Sequence, residues 1–264
     1  KNMFMKQMKF FLVALMAVVM GMSVTSCMKG ENNTVVPVYG VITLVNTFPY
    51  QFQVEGSNVI FEASSMSIPG LSSDAYSGDI VLLNAQYDTE TQPVDQNTKK
   101  IIVEAAGAEK LNVNSYVSSD DVTYNRSIIS LSRYGSNVSP YLYSAKWIIF
   151  PMPFCVEKEE NVSNHTFYLV YDKENTANDD NTMVLRLRHS STEDADKEKT
   201  VVTRYRAFNI ANVVSSFEGT KLKTIKIIVP EQTGDSPKIE EGSDNGYKDA
   251  TYTINDYDKY VTNN

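Results

Sequence analysis

A chain of 264 residues, 42% hydrophobic and 21% charged, holds enough material for one or two folded domains. Its 16 tyrosines exclude wholesale disorder, two cysteines exclude a disulfide framework, and two histidines exclude a histidine-rich metal centre. A formal net charge of −8 excludes broad electrostatic attraction to nucleic acid.

The first 22 residues stand apart, because six of the ten methionines lie there. Lys1, Lys6 and Lys9 make a basic start with no acid, and an unbroken apolar run follows over 10–22. That run is shorter than the roughly 20 residues a bilayer-spanning helix needs, and it has the plan of a secretory signal. Val24-Thr25-Ser26-Cys27 then resembles the bacterial lipobox, in which the signal is cut before the cysteine and the thiol is diacylated. Residues 1–26 are therefore expected to be a cleaved signal peptide, Cys27 the lipidation site, and 27–34 a lipidated tether. Each buried methylene contributes about 0.8 kcal/mol, so two or three acyl chains hold a protein firmly to a membrane. Cleavage removes three lysines and no acids, taking the net charge from −8 to −11. Residue 28 is Met rather than Asp, so the enterobacterial inner-membrane retention signal is missing. Lys29 and Glu31 partly resemble the charged sequence after the cysteine in surface-exposed lipoproteins of the Bacteroidetes. Cys155 is then the one remaining thiol, and its apolar neighbours mark it as a small buried side chain.

From residue 35 onward, period-two alternation and β-branched runs dominate. Strands are expected at 35–45, with Pro37 at an edge, and in a hairpin of 50–54 and 59–61 turned by Glu55-Gly56-Ser57-Asn58. Further strands are expected at 80–83, 101–104 and 111–117. The polar cluster Ser118-Ser119-Asp120-Asp121 reads as a boundary. Beyond it, apolar runs at 128–131, 147–150, 166–171, 183–188, 201–208, 225–229 and 250–254 are separated by acidic loops. Only 208–217 is compatible with a helix. The expected class is all-β: a small OB-like β-barrel over 35–117, followed by an antiparallel β-sandwich over 122–260.

Residues 165–189 define a hairpin whose hydrophobic pattern matches when Asp172 lies opposite Thr182. Phe167, Leu169, Tyr171, Met183, Leu185 and Leu187 then share one face, with His165 opposite His189 at its open end. Two imidazoles are too few for a closed zinc site, so His165 and His189 are metal candidates only if carboxylates of the 193–196 loop join them. Two strand-end histidines bonded to backbone or solvent are the simpler account. On the other face, Arg186 and Arg188 are joined by Arg204 and Arg206 if the odd-numbered side of 201–208 faces the core. These four of the six arginines would form a patch suited to carboxylates, phosphates or sulfates, or they would be neutralised by the acidic loops. There is no G-x-S-x-G elbow, P-loop or dinucleotide fingerprint, and no cofactor motif.

The lipobox, the strand opening Val38-Tyr39-Gly40-Val41, and the pair of segments His165-Thr166-Phe167-Tyr168-Leu169-Val170-Tyr171 and Met183-Val184-Leu185-Arg186-Leu187-Arg188-His189 resemble the NigD-like lipoproteins of Bacteroidetes. The resemblance is strongest at 165–208. It implies an N-terminal OB-fold, a C-terminal β-sandwich and a role in bacteriocin immunity, with no catalytic motif to carry over. The expectation is a non-enzymatic, lipid-anchored protein of the cell envelope, held at the outer membrane and facing the periplasm or the surface. Its expected ligand is a protein partner, the alternative being a glycan; no nucleic acid is expected.

Overall fold

The computed structural model describes residues 34–134, 139–176, 181–217, 221–239 and 246–262. The expected signal peptide, Cys27 and the tether up to residue 33 lie outside the described residues. The chain divides into two compact units, one ending at Leu111 and the other beginning at Asn112.

The first unit is a closed barrel of five strands: β1 (Val35–Thr47), β2 (Tyr50–Gln53), β3 (Ile60–Ala63), β4 (Ile80–Asp88) and β5 (Lys100–Lys110). Its order β1-β2-β3-β5-β4, with β3 and β5 parallel and the other pairs antiparallel, is that of an OB-fold. Alternation explains the closure. Phe52, Phe61, Leu83, Ile101 and Val103 fill the interior, while Gln51, Gln53, Ile102 and Glu104 between them point outward. Pro37 pairs with Gln86 of β4 and has no partner on β2, as a residue without an amide proton requires. At the barrel's rim, Lys110 pairs with the buried Asp79 at 3.0 Å and lies 4.6 Å from the centre of the Tyr76 ring.

The second unit holds two sheets. Strands β6 (Ser115–Ser118), β9 (His165–Tyr171), β10 (Thr182–Ser191), β12 (Thr224–Gln232) and β13 (Tyr247–Ile254) form one, in the order β13-β12-β10-β9-β6. Strands β7 (Tyr141–Ser144), β8 (Trp147–Val156) and β11 (Thr200–Asn209) form the other, in the order β11-β8-β7. Phe150, Met152 and Phe154 of the smaller sheet meet Phe167, Leu169, Leu185, Leu187 and Ile227 of the larger in one core. Each large side chain so buried contributes roughly 1.5–3 kcal/mol. Short helices α1 (Lys173–Thr176), α2 (Ala211–Ser215) and α3 (Tyr257–Thr262) sit at strand ends, α2 within the helix-compatible stretch at 208–217.

The larger sheet is mixed rather than antiparallel: β10 runs parallel to β12, and β6 parallel to β9. The reason is connectivity, since β11 leaves for the other sheet between β10 and β12. Because β6 pairs with β9, the polar cluster 118–121 lies within the second unit and does not end the first. Residues 128–131 form no strand; Ile128 makes one parallel bridge to Glu231, and a 3-10 turn begins at Leu131. Pro151, Pro153 and Pro230 do lie inside strands. Each sits where one neighbouring strand has stopped: β7 pairs with β8 only over 147–149, and β10 with β12 only up to Ile228. The carbonyls of Pro153 and Pro230 on those vacated sides accept the amides of Ile129 and Ile128.

Candidate functional site

The hairpin β9–β10 carries most of the chemistry. Its observed pairing places Tyr171 opposite Leu185, Leu169 opposite Leu187 and Phe167 opposite His189, two residues away from the register expected from pattern. A shift of two preserves parity, so the apolar side chains still share the inner face. The connection is wider than a tight hairpin: α1 follows Asp172, and Thr182 and Met183 pair with Thr224 and Ile225 of β12 before the pairing with β9 begins.

His165 thus faces Ser191 in the ladder, yet its Nδ1 lies 2.9 Å from His189 Nε2. Both rings are fully buried and walled by Phe154, and His189 stacks on Phe167 at 4.3 Å between ring centres. His165 Nε2 is 3.0 Å from Glu193 Oε2, and His189 Nδ1 is 3.3 Å from the Ser127 carbonyl. Glu193 also accepts hydrogen bonds from the Asn161 side chain and, at 3.0 Å, from the Glu157 amide. Beside it, Arg126 Nε binds both oxygens of the fully buried Glu198, at 2.9 and 3.1 Å, while Arg126 Nη2 donates to the Glu193 carbonyl at 2.7 Å.

Burial pushes the pKa of both histidines below the ordinary imidazole value, and furthest for His189, where the neighbouring His165 adds to the effect. Burial alone would raise Glu193, but the bonds from the Glu157 amide, His165 and Asn161 outweigh it and hold the carboxyl below its usual range. Ligand atoms of His165, Glu193 and Glu198 lie within 4.8 Å of one another, the spacing of a metal cluster. The composition differs from that expected, since His189 stands behind His165 instead of beside the acids. Arg126 already supplies the positive charge there, and each ligand atom has a protein partner. The arrangement is that of a polar staple. It ties the loop after β10 and residues 125–126 to the end of β9.

The four arginines do not form one surface. Arg186 and Arg188 point outward from β10, whereas Arg204 and Arg206 belong to β11 in the other sheet. The even-numbered side of β11 faces the core, carrying Val202, Arg206 and Phe208 inward, which reverses the orientation expected. Arg206 is buried, its guanidinium 5.8 Å from the centre of the Phe167 ring. Arg204 pairs with Glu159 at 2.8 Å. On the outer face, Arg186 pairs with Asp172 at 2.5 Å and lies 3.7 Å from Asp249, and Arg188 pairs with Asp121 at 3.1 Å while lying over the Tyr124 ring. In the ladder Arg188 is opposite Tyr168, which is opposite Tyr116 on β6, and the two tyrosine rings lie 5.3 Å apart. Tyr116 is 49% exposed. The result is a row of Tyr116, Tyr168, Arg188 and Tyr124 across three strands. Alternation in 115–117 could have placed Tyr116 outward; Arg126 and Glu198 lie in aperiodic polar stretches and carry no such signal.

No family model and no curated protein matches the chain. Solved structures do. A candidate lipoprotein from Bacteroides fragilis is 18% identical, with a TM-score of 0.62 over 83% of this chain and 98% of its own. A protein of unknown function from Bacteroides vulgatus is 12% identical, with a TM-score of 0.52 over 83% and 90%. The similar structures include a NigD-like immunity protein from Bacteroides caccae, 16% identical, with a TM-score of 0.49 over 84% and 99%. Identities this low speak to the fold alone, and the fold argument rests on the first two. The chain is all-β and built on their architecture.

Proposed function

We propose that this chain is a non-enzymatic, lipid-anchored protein of the bacterial cell envelope that binds a protein partner through the outer face of β6, β9 and β10, in a NigD-like immunity or accessory role at the outer membrane. The observation that carries the reading is the Tyr116–Tyr168–Arg188–Tyr124 row. Tyrosine gives large contact area at small entropic cost, and tyrosine and arginine are, with tryptophan, the side chains most enriched where protein interfaces bind strongly. The lipobox ending in Cys27 and the fold shared with a candidate lipoprotein support the envelope location. From Cys27 to Thr34 an extended chain reaches at most about 25 Å, so the barrel would work close to the bilayer. The acidic surface outside this row would favour a cationic partner.

The adjacent rings of Tyr116 and Tyr168 also suit stacking on a sugar, which keeps a glycan-binding reading alive. Placing a photo-crosslinking side chain at position 116 in living cells separates the two. A discrete protein adduct at 116, absent from position 209 on β11, supports the first reading. No adduct, together with oligosaccharide binding lost in Tyr168→Ala, supports the second. Membrane fractionation of Cys27→Ala tests the anchor, and normal palmitate labelling of that variant would refute it.

A further inference from the structure

The barrel carries a second feature, independent of the tyrosine–arginine row. Strands β4 and β5 pair from Val81 opposite Lys110 as far as Gln86 opposite Glu104, and there the pairing ends. Beyond that point β4 continues as Tyr87 and Asp88, bonded to Val36 and Val35 of β1. Strand β5 runs on towards Lys100, bonded to β3. The two strands part, and a groove of about 590 Å³ opens between them, with Val35, Asp88, Gln92, Ile102 and Glu104 in its walls.

Backbone direction decides what this groove offers. The carbonyls of Lys99 and Val103 accept the amides of Ile60 and Ser64, so those peptide groups face β3. The amide and carbonyl of Ile102 therefore face the groove. Both are taken by one side chain: Gln92 Nε2 donates to Ile102 O at 3.0 Å, and Gln92 Oε1 accepts from Ile102 N at 2.7 Å. A donor and an acceptor exchanged with a single residue is the hydrogen-bonded pair of an antiparallel ladder. The carboxamide of Gln92 occupies the place of the amide and carbonyl of one residue in a missing strand. Holding a glutamine still costs up to about 1.5–2 kcal/mol of rotamer entropy, which is released when another chain takes over the two bonds.

The walls say which chain. Asp88 and Glu104 are the charged residues lining the groove and both are acidic. Ile102 and Val35 are 38% and 40% exposed, large apolar surfaces for a site between strands. We infer that this groove receives an extended, proline-free segment of another protein, with basic and apolar side chains alternating, which displaces Gln92 and pairs with Ile102 by strand addition. Main-chain bonds give such binding its affinity and alternate side chains its selectivity.

The test pans a displayed library of random heptapeptides on the 27–264 chain, then measures the enriched peptides by fluorescence anisotropy and follows hydrogen exchange at the Ile102 amide. Enriched peptides should carry lysine or arginine at alternate positions and lose at least tenfold in affinity to the Asp88→Asn/Glu104→Gln variant. Gln92→Ala should bind them about tenfold tighter, with its Ile102 amide fast-exchanging until peptide is added. Both variants should melt within a few degrees of the parent, which separates a binding effect from a folding one. Failure to enrich any peptide overturns the inference. So does enrichment of peptides whose affinity ignores Gln92, or whose binding leaves the exchange of Ile102 unchanged.

Discussion

His165 and His189 share a 2.9 Å hydrogen bond between ring nitrogens although neither is the other's partner in the ladder. The two-residue register shift makes them diagonal neighbours on the inner face, and diagonal neighbours on one face are close enough for rings to meet. Two neutral imidazoles own two N–H protons, whereas three contacts run from Glu193 through both rings to the Ser127 carbonyl. Glu193 is an ionised acceptor, so His165 donates to it from Nε2, and His189 donates from Nε2 to His165 Nδ1. The longest contact, 3.3 Å to Ser127, is left for a third proton that burial keeps out.

This arrangement has a sign in pH. Both folded-state histidine pKa values lie below the free value of 6.5, because burial disfavours the imidazolium. Between the two values the unfolded chain binds more protons, so stability is full above about pH 6.5 and falls as the pH is lowered. The charged groups facing the rings are Glu193, Glu198, Arg126 and Arg206, and of these Glu193 is held below its usual carboxyl range. The unfolding free energy from urea titration should drop from pH 7 to pH 5, by at most about 1.4 kcal/mol per pH unit for each histidine. The double variant His165→Phe/His189→Phe should show a flatter profile. Stability that fell as the pH rose through 7 would mean a permanent imidazolium–carboxylate pair instead.

Arg126 and Glu198 make a second, separable test. Glu198 is fully buried and held by both of its oxygens, so Arg126→Met strands a carboxylate without a counter-charge. The expected loss is about 3–5 kcal/mol, measured by chemical denaturation. Adding Glu198→Leu should return part of that loss by removing the stranded charge. It should not return all of it, because the Asn125 and Glu193 carbonyls also lose their Arg126 donor. Strict additivity of the two substitutions would show that the pair is not coupled.

The sequence made parity legible and left register and sheet membership hidden. Alternation placed Leu169, Leu185 and Leu187 on one side correctly, because a period of two survives any even shift. It could not show that Thr182 pairs with Thr224, a contact between strands far apart in the chain. In β11 both faces hold apolar residues, Val201 and Tyr205 on one and Val202 and Phe208 on the other, so pattern alone could not choose. The structure buries Arg206 with Val202 and Phe208 and leaves Val201 44% exposed. The buried staple was half visible, as two histidines near an acidic loop. Its Arg126 comes from a stretch with no periodicity, and only folding reveals it.

The division of the arginines predicts two different phenotypes where the sequence implied one. Arg188→Ser breaks a pair whose partner Asp121 is 71% exposed and loses packing over the Tyr124 ring, so its effect on stability should be about 1 kcal/mol. Its effect on crosslinking from position 116 should be large, because it removes the centre of the tyrosine–arginine row. Arg206→Ser should do the reverse: the melting temperature falls as packing over Phe167 is lost, by about 2 kcal/mol or more. Residual folded protein should still crosslink. Equal melting temperatures for the two variants would sink this assignment.

Two glycines of the barrel isolate what holds the loop between β3 and β4. Gly56 and Gly70 both adopt positive φ, +73° and +79°, so alanine is strained at either position. At Gly56 an added Cβ meets open space, and Gly56→Ala should cost about 1 kcal/mol from backbone conformation alone. At Gly70 the same atom would sit 2.9 Å from the Ala108 carbonyl, a backbone atom that cannot swing aside. The neighbouring Pro69 carbonyl accepts the Ala108 amide at 2.9 Å, and that bond docks the loop on β5. Relieving the clash must lengthen it. Gly70→Ala should therefore lose about 1–3 kcal/mol more than Gly56→Ala in thermal unfolding, with faster hydrogen exchange at the Ala108 amide in the first variant only. Equal losses, or an unchanged Ala108 amide, would mean that the loop is held elsewhere.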